Sequence, residues 1–297
     1  MRGLHRGEAR AGWLLAAPAL LVIAAFFLLP VVAGFALSVT DFDIYAIGDP
    51  ELVRFVGGAN YRTLLSEPLF WKALKNTLYF VLLGVPATMG VALAAALGVT
   101  AGVTRLKPIF RTIYFAPVVT TLVAVAVVWR YLYHPRFGLI NGVLGVAGVD
   151  PIAWLADPRW AMPAIVLLAV WKNFGYTMII FVAGLQAIPE QLYEAARLDG
   201  ASAWQRFRYI TLPGLAPTTT FVAVITVIGY FQLFAEPYVM TSGGGPVNAT
   251  LSVVLYMFKE GFRWWDIGYA AAVAFVLFWI VLAVTLLQTA LRRRAER

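Results

Sequence analysis

Six long apolar runs constrain this chain more than any other feature. They lie at about residues 13–37, 73–99, 109–133, 161–185, 217–240 and 268–291. Each is long enough to cross the hydrocarbon layer of a bilayer as an α-helix, which takes about 20 residues. None has the two-residue alternation of a barrel strand, and only helices or closed barrels satisfy their own backbone in lipid. The runs therefore predict an all-α, polytopic membrane protein with six transmembrane helices. Composition agrees: 61% of the 297 residues are hydrophobic and 13% charged, too few charges to cover a soluble surface. The first run follows Arg2, Arg6 and Arg10, as a secretory leader would. It is too long for a leader's apolar region, and no Ala-x-Ala site followed by a soluble domain appears, so it reads as a retained span.

Residues that are missing exclude several functions. There is no cysteine, which removes disulfides and thiolate metal sites. The two histidines, His5 and His134, lie far apart, which argues against a His-based metal or catalytic cluster. No pair of acids falls inside the apolar runs, so a membrane-embedded enzyme is disfavoured. No Gly-x-x-x-x-Gly-Lys-Ser/Thr loop is present. The net charge of +8 does not point to nucleic acid, because the bases sit at span edges. Arg292, Arg293 and Arg294 read as an anchor facing anionic membrane lipid.

Charge placement predicts orientation. With the N-terminus inside, the inner segments hold 13 of the 23 Lys and Arg, the outer segments 9, and Lys172 lies within a span. Basic residues favour the cytoplasmic side, so both termini are expected to be cytoplasmic. The outer loops are short. Residues 40–72 have room for a small helix near Asn60 to Leu65, 134–160 read as a folded-back cap, and 242–266 open on a glycine turn followed by a half-helix at 249–262. Phe262, Trp264, Trp265 and Tyr269 suit a membrane interface. No soluble domain fits in any loop, so the chain reads as a single transmembrane domain over 1–297.

Between the fourth and fifth runs lies a polar stretch at 189–213. Pro189 suits a first helical position and Gly200 a helix end. Ser202 with Gln205 three residues on has capping-box spacing, and Pro213 is expected to stop the second helix. This is an elbow of two short helices outside the apolar spans. It is longer than a connector requires. It also carries Leu192, Ala195, Ala196, Leu198, Trp204 and Phe207, apolar residues that predict a docking partner.

Glu194-Ala195-Ala196, then Asp199-Gly200-Ala201, then Leu212-Pro213 resembles the coupling loop of permease subunits in binding-protein-dependent ABC importers. Trp171-Lys172-Asn173-Phe174, Ala183 to Pro189 and Thr241 to Pro246 resemble the carbohydrate-uptake branch, the likeness being strongest over 171–272. The resemblance implies a type I importer permease architecture. It implies a homologous second permease in a heterodimer, two ATPase subunits and an extracytoplasmic solute-binding protein. It also implies that ATP and magnesium are held by the ATPases, with no cofactor or metal on this chain. Its hallmarks fall on Glu194, Ala195, Ala196, Asp199, Gly200, Leu212 and Pro213. The implied substrate is a sugar or oligosaccharide. A phosphorylated or amino-bearing solute such as glycerol phosphate is an alternative, and an ion-coupled secondary transporter a more distant one.

Polar residues inside the spans are candidates for the solute path. A mid-membrane cation costs about 2.5–3.5 kcal/mol on insertion scales, so Lys172 must face a wet cavity or pair with an acid or a backbone carbonyl. Asn173 and Tyr176 offer hydrogen bonds and a stacking face suited to a sugar. Gln232 reads equally as lining or as an interhelical bond. Glu236 reads as lining or as an interfacial acid, with a direct bridge to Lys172 doubtful unless its span breaks at Pro237. Thr120 reads as a solute contact or as bonded to its own backbone, and Asn76 and Thr77 divide the same way.

Overall fold

The structure is a computed structural model that describes residues 4–100 and 107–295. Arg2, Arg105 and Arg297 of the charge count lie outside those residues, as do the side chains of His5, Arg6, Lys107, Arg293 and Arg294.

In chain order the helices are α1 (Leu4–Ile23), α2 (Leu29–Ser38), α3 (Ala59–Ser66), α4 (Pro68–Thr100) and α5 (Lys107–Val119). They continue with α6 (Leu122–Leu132), α7 (Leu139–Val146), α8 (Pro158–Gln186), α9 (Glu190–Leu198) and α10 (Ala203–Arg206). The last five are α11 (Leu212–Gly214), α12 (Ala216–Phe231), α13 (Ala235–Met240), α14 (Val253–Phe258) and α15 (Ile267–Ala295). Among the described residues, five helical stretches are long and apolar enough to span a membrane: Glu8–Ser38, Pro68–Thr100, Pro158–Gln186, Ala216–Met240 and Ile267–Arg292.

The third apolar run departs from the straight helix expected at 109–133. It forms a pair, Pro108–Val119 and Leu122–Leu132, bent by 98°. Pro117 deprives the helix of one N–H, and Thr121 is fully extended at ψ 137 before it caps α6. Two other prolines are absorbed differently. A π turn over Ala24–Leu28 precedes Pro30, and another over Phe207–Thr211 precedes Pro213. Widening the ladder by one residue gives the ring the room it needs beside the preceding turn.

The chain divides into two compact units. The first comprises Met1–Glu67 and Met257–Phe278. Here Asn60 Nδ2 donates to the carbonyls of Ser38 (3.0 Å) and Thr40 (2.8 Å), fixing α3 to the end of α2. Phe35 meets Phe275 edge-on at 5.3 Å. Phe262 and Trp264 are exposed, whereas Tyr269 is buried against protein.

The second unit comprises Pro68–Tyr256 and Trp279–Arg297. Its core forms where α4 and α12 pack with α8, around Ala92, Ala96, Met178, Phe181, Leu215 and Val222. Small residues let helix backbones approach in lipid, and Gly175 does so on α8. A Cβ there would lie 1.9 Å from the Tyr114 carbonyl oxygen of α5. The cap at 134–160 is tied by Asn141, whose Nδ2 donates to Pro135 and Ile152 and whose Oδ1 accepts from Trp154 Nε1 at 2.9 Å. Asn76 Nδ2 donates to the carbonyls of Asn248 and Leu251, each at 2.9 Å, and Thr77 Oγ1 accepts from Val253 N at 3.0 Å. Those two α4 residues hold the glycine turn after the fifth span.

Candidate functional site

Two helices of the second unit break within apolar runs, and both breaks border one cavity. The first break, Thr120–Thr121, puts Leu122 on the cavity wall. The second, between α12 and α13, puts Gln232, Leu233, Phe234 and Glu236 there. Non-helical backbone in a bilayer persists only where protein buries it or where it lines a wet space. The cavity measures about 560 Å³.

The second break lies before Pro237, the position at which the sequence left a break open. Phe234 leaves helical geometry at φ −142, ψ −60, and Pro237 sits inside α13. Proline removes the N–H that the Leu233 carbonyl would have accepted. Ser252 Oγ donates to that carbonyl instead, at 2.5 Å. A freed backbone acceptor is thus satisfied by a side chain from another element.

The cavity gathers four of the six path candidates: Asn173, Tyr176, Gln232 and Glu236. Asn173 Nδ2 donates to the Ala169 carbonyl at 2.9 Å. Tyr176 is half exposed and Gln232 exposed. Aromatic rings complete the wall, with Phe80 stacked on Tyr230 at 4.8 Å. The Tyr230 hydroxyl shares a buried hydrogen bond with Thr88 Oγ1 at 2.5 Å. Thr88 escaped sequence reasoning, because the contact spans 142 positions and no local pattern encodes it.

Lys172 and Thr120 do not belong to this wall. Lys172 Nζ donates to the carbonyls of Pro117 (3.0 Å) and Thr120 (2.8 Å). Those carbonyls lie at the C-terminal end of α5, where backbone acceptors lack helical partners and a cation is favoured. Thr120 Oγ1 donates to Pro117 O at 2.6 Å. Lys172 therefore takes the carbonyl-pairing reading and Thr120 the own-backbone reading.

The second feature is the elbow. Pro189 caps α9 rather than opening it, and Glu190 is the first helical residue. Gly200 adopts φ +76. Its N–H bonds Arg197 O at 3.1 Å and the next N–H, of Ala201, bonds Ala196 O at 2.8 Å, a Schellman ending that favours glycine. The capping box forms: Gln205 N donates to Ser202 Oγ at 3.3 Å and Ser202 N to Gln205 Oε1 at 2.7 Å. Pro213 does not stop the second helix. The π turn carries the chain through to Leu212 and on into α12.

Tyr193 and Thr211 hydroxyls, 3.0 Å apart, join the two arms of the elbow. Its ends are rooted in the core at Ile188 and Leu215. Its tip is bare: Leu198 is 90% exposed and Trp204 69%. Glu194, Ala195 and Asp199 are exposed, Ala196 and Leu212 half-buried.

A bundle of apolar spans with two broken helices around a polar-aromatic cavity, carrying an amphipathic projection between two spans, defines a membrane transport subunit. The chain belongs to the family described as "Binding-protein-dependent transport system inner membrane component", whose profile matches residues 88–297. It is 37% identical over 281 residues to the lactose transport system permease protein LacF of Rhizobium radiobacter, covering 93% of this chain and 92% of that protein. It is 34% identical over 287 residues to the arabinooligosaccharides transport system permease protein AraP of Bacillus subtilis, covering 96% and 90%. Its fold is similar to that of a chain in the crystal structure of a bacterial ABC transporter involved in import of the acidic polysaccharide alginate. That match has a TM-score of 0.77 at 24% identity and covers 98% of this chain and 99% of the other.

Proposed function

We propose that residues 1–297 act as a single permease domain. It pairs with a homologous second permease and is driven by two separate ATPase subunits that hold ATP and magnesium. Both termini and the elbow face the cytoplasm, and a solute-binding protein delivers a sugar or oligosaccharide to the outer loops. The observation that carries the reading is the elbow: rooted in the core at Ile188 and Leu215, rigid at its Schellman turn and capping box, and bare at Leu198 and Trp204. A lever of this build transmits force only if its apolar tip docks in a partner. Bistable bundles biased from outside are the general means of such switching. Glu194, Ala195, Ala196, Asp199, Gly200, Leu212 and Pro213 form its coupling face and root. Asn173, Tyr176, Gln232 and Glu236 line the solute path, with rings suited to sugar faces and polar groups suited to hydroxyls.

The relatives named for lactose and arabinooligosaccharide transport support a saccharide substrate. The test is site-directed cross-linking. A cysteine at Leu198 or Trp204 in the assembled complex is expected to cross-link to the ATPase subunits and to change reactivity on ATP binding. Labelling of those cysteines by an impermeant reagent from outside intact cells would overturn the reading.

A further inference from the structure

The cavity wall carries one formal charge. Among the described residues that line it, Glu236 is the only charged side chain. The nearest cation in sequence to the wall, Lys172, is engaged by the Pro117 and Thr120 carbonyls at the end of α5. Arg130, on α6, donates to the Val239 carbonyl at 3.4 Å. Neither side chain is among the described residues that line the cavity. Glu236 stands in the first turn of α13, just past the break in the fifth span.

We infer that this site admits neutral saccharides and turns back anionic ones, with Glu236 as the residue that sets the preference. The inference rests on the proposal that the cavity is the solute path. A carboxylate accepts hydrogen bonds from sugar hydroxyls, so a neutral sugar gains from it. A uronate or sugar phosphate brings a second negative charge beside it in a partly dehydrated space, where repulsion is far stronger than in water. Phosphorylated solutes are disfavoured on the same ground, since no Lys or Arg is among the described residues that line the cavity.

The experiment uses the assembled importer in nanodiscs without the external protein, so that delivery does not filter the probes. Equilibrium binding is measured for lactose, maltose and cellobiose, and for the uronate made from each by oxidising one C6 alcohol. The expected result is that at least one neutral disaccharide binds and its uronate binds about tenfold more weakly or worse. Glu236→Gln should narrow that gap to about threefold or less, because the like charge is gone. Glu236→Asp, which keeps the charge, should preserve it, so that a collapse of the gap in both variants counts against the inference. Equal binding of a neutral sugar and its uronate by the unaltered protein overturns the inference while leaving the solute path in place. If no neutral disaccharide binds, or if Tyr176→Ala leaves their binding unchanged, the solute-path reading fails and the inference falls with it.

Discussion

Lys172 Nζ lies 2.8 Å from the Thr120 carbonyl oxygen and 3.0 Å from that of Pro117. One ammonium group on α8 thereby fastens the bend between α5 and α6. An unpaired backbone acceptor in lipid is expensive, and the break leaves the Thr120 carbonyl to the lysine while that of Pro117 also accepts from the Thr120 hydroxyl. The lysine resolves two problems at once, because its own charge also needs partners at that depth.

Replacing Lys172 by Met sets two effects against each other. Stranding the Thr120 carbonyl costs about 1–3 kcal/mol, since that of Pro117 keeps the Thr120 hydroxyl, while removing the cation relieves about 2.5–3.5 kcal/mol. The two nearly cancel, so stability is expected to move little, with a melting shift under about 5 °C. The bend itself loses its fastening. Spin labels at Ile113 and Val128, both exposed, should show a broadened distance distribution across the bend, and uptake should fall. A distribution as narrow as that of the unaltered protein would show that the bend holds without the lysine.

Gly175→Ala tests the closest helix contact. The added carbon would sit 1.9 Å from Tyr114 O, so α5 and α8 must separate, and overpacking of this kind costs about 1–3 kcal/mol or more. Gly90→Ala is the matched control, since nothing lies within 4 Å of its added carbon, and alanine in a helix gains about 0.5–1 kcal/mol over glycine. Thermal unfolding in nanodiscs should move down for the first and level or slightly up for the second. Equal behaviour would mean that the α5–α8 contact is not tight in the membrane.

Much of the architecture was legible because lipid makes the rules simple. Apolar run length places the spans, and the Ser202–Gln205 spacing and Gly200 mark the elbow. The bend at 120–121 was not legible, because its residues continue an apolar run and the lysine that fastens it lies 52 positions away from Thr120. Pro117 was visible, but prolines at 30 and 213 are absorbed by π turns, so a proline alone does not announce a break. The cavity was half legible. Asn173, Tyr176, Gln232 and Glu236 stood out as polar residues in spans, whereas Thr88 could be placed only by tertiary packing.

Glu260 predicts a pH effect outside the spans. Burial chiefly, then the like charges of Asp266 and Glu67, hold its carboxyl above the usual carboxylate range. The folded protein then binds more protons than the unfolded chain between the ordinary and the raised value, and stability falls as pH rises through that window. Glu260→Gln should flatten this slope. The check is the melting temperature of purified protein from about pH 4.5 upward. An unchanged slope in the variant would assign the effect to another group.

Gly200 offers the sharpest test of the elbow because space and backbone are separated there. A Cβ at Gly200 would meet nothing within 4 Å, yet φ is +76. Any loss on substitution must therefore come from the left-handed backbone alone. Asn tolerates that conformation, while a β-branched residue resists it. Gly200→Asn is expected to be mild and Gly200→Val to cost about 1–2 kcal/mol locally, enough to unwind the Schellman turn. The helix roots at Ile188 and Leu215 are untouched, so insertion and global melting should stay close to normal. Transport and sugar-stimulated ATP hydrolysis should part company instead, with hydrolysis retained and uptake reduced several-fold in the Val variant. If Val and Asn transport alike, the angle between the two arms of the elbow does not carry the coupling.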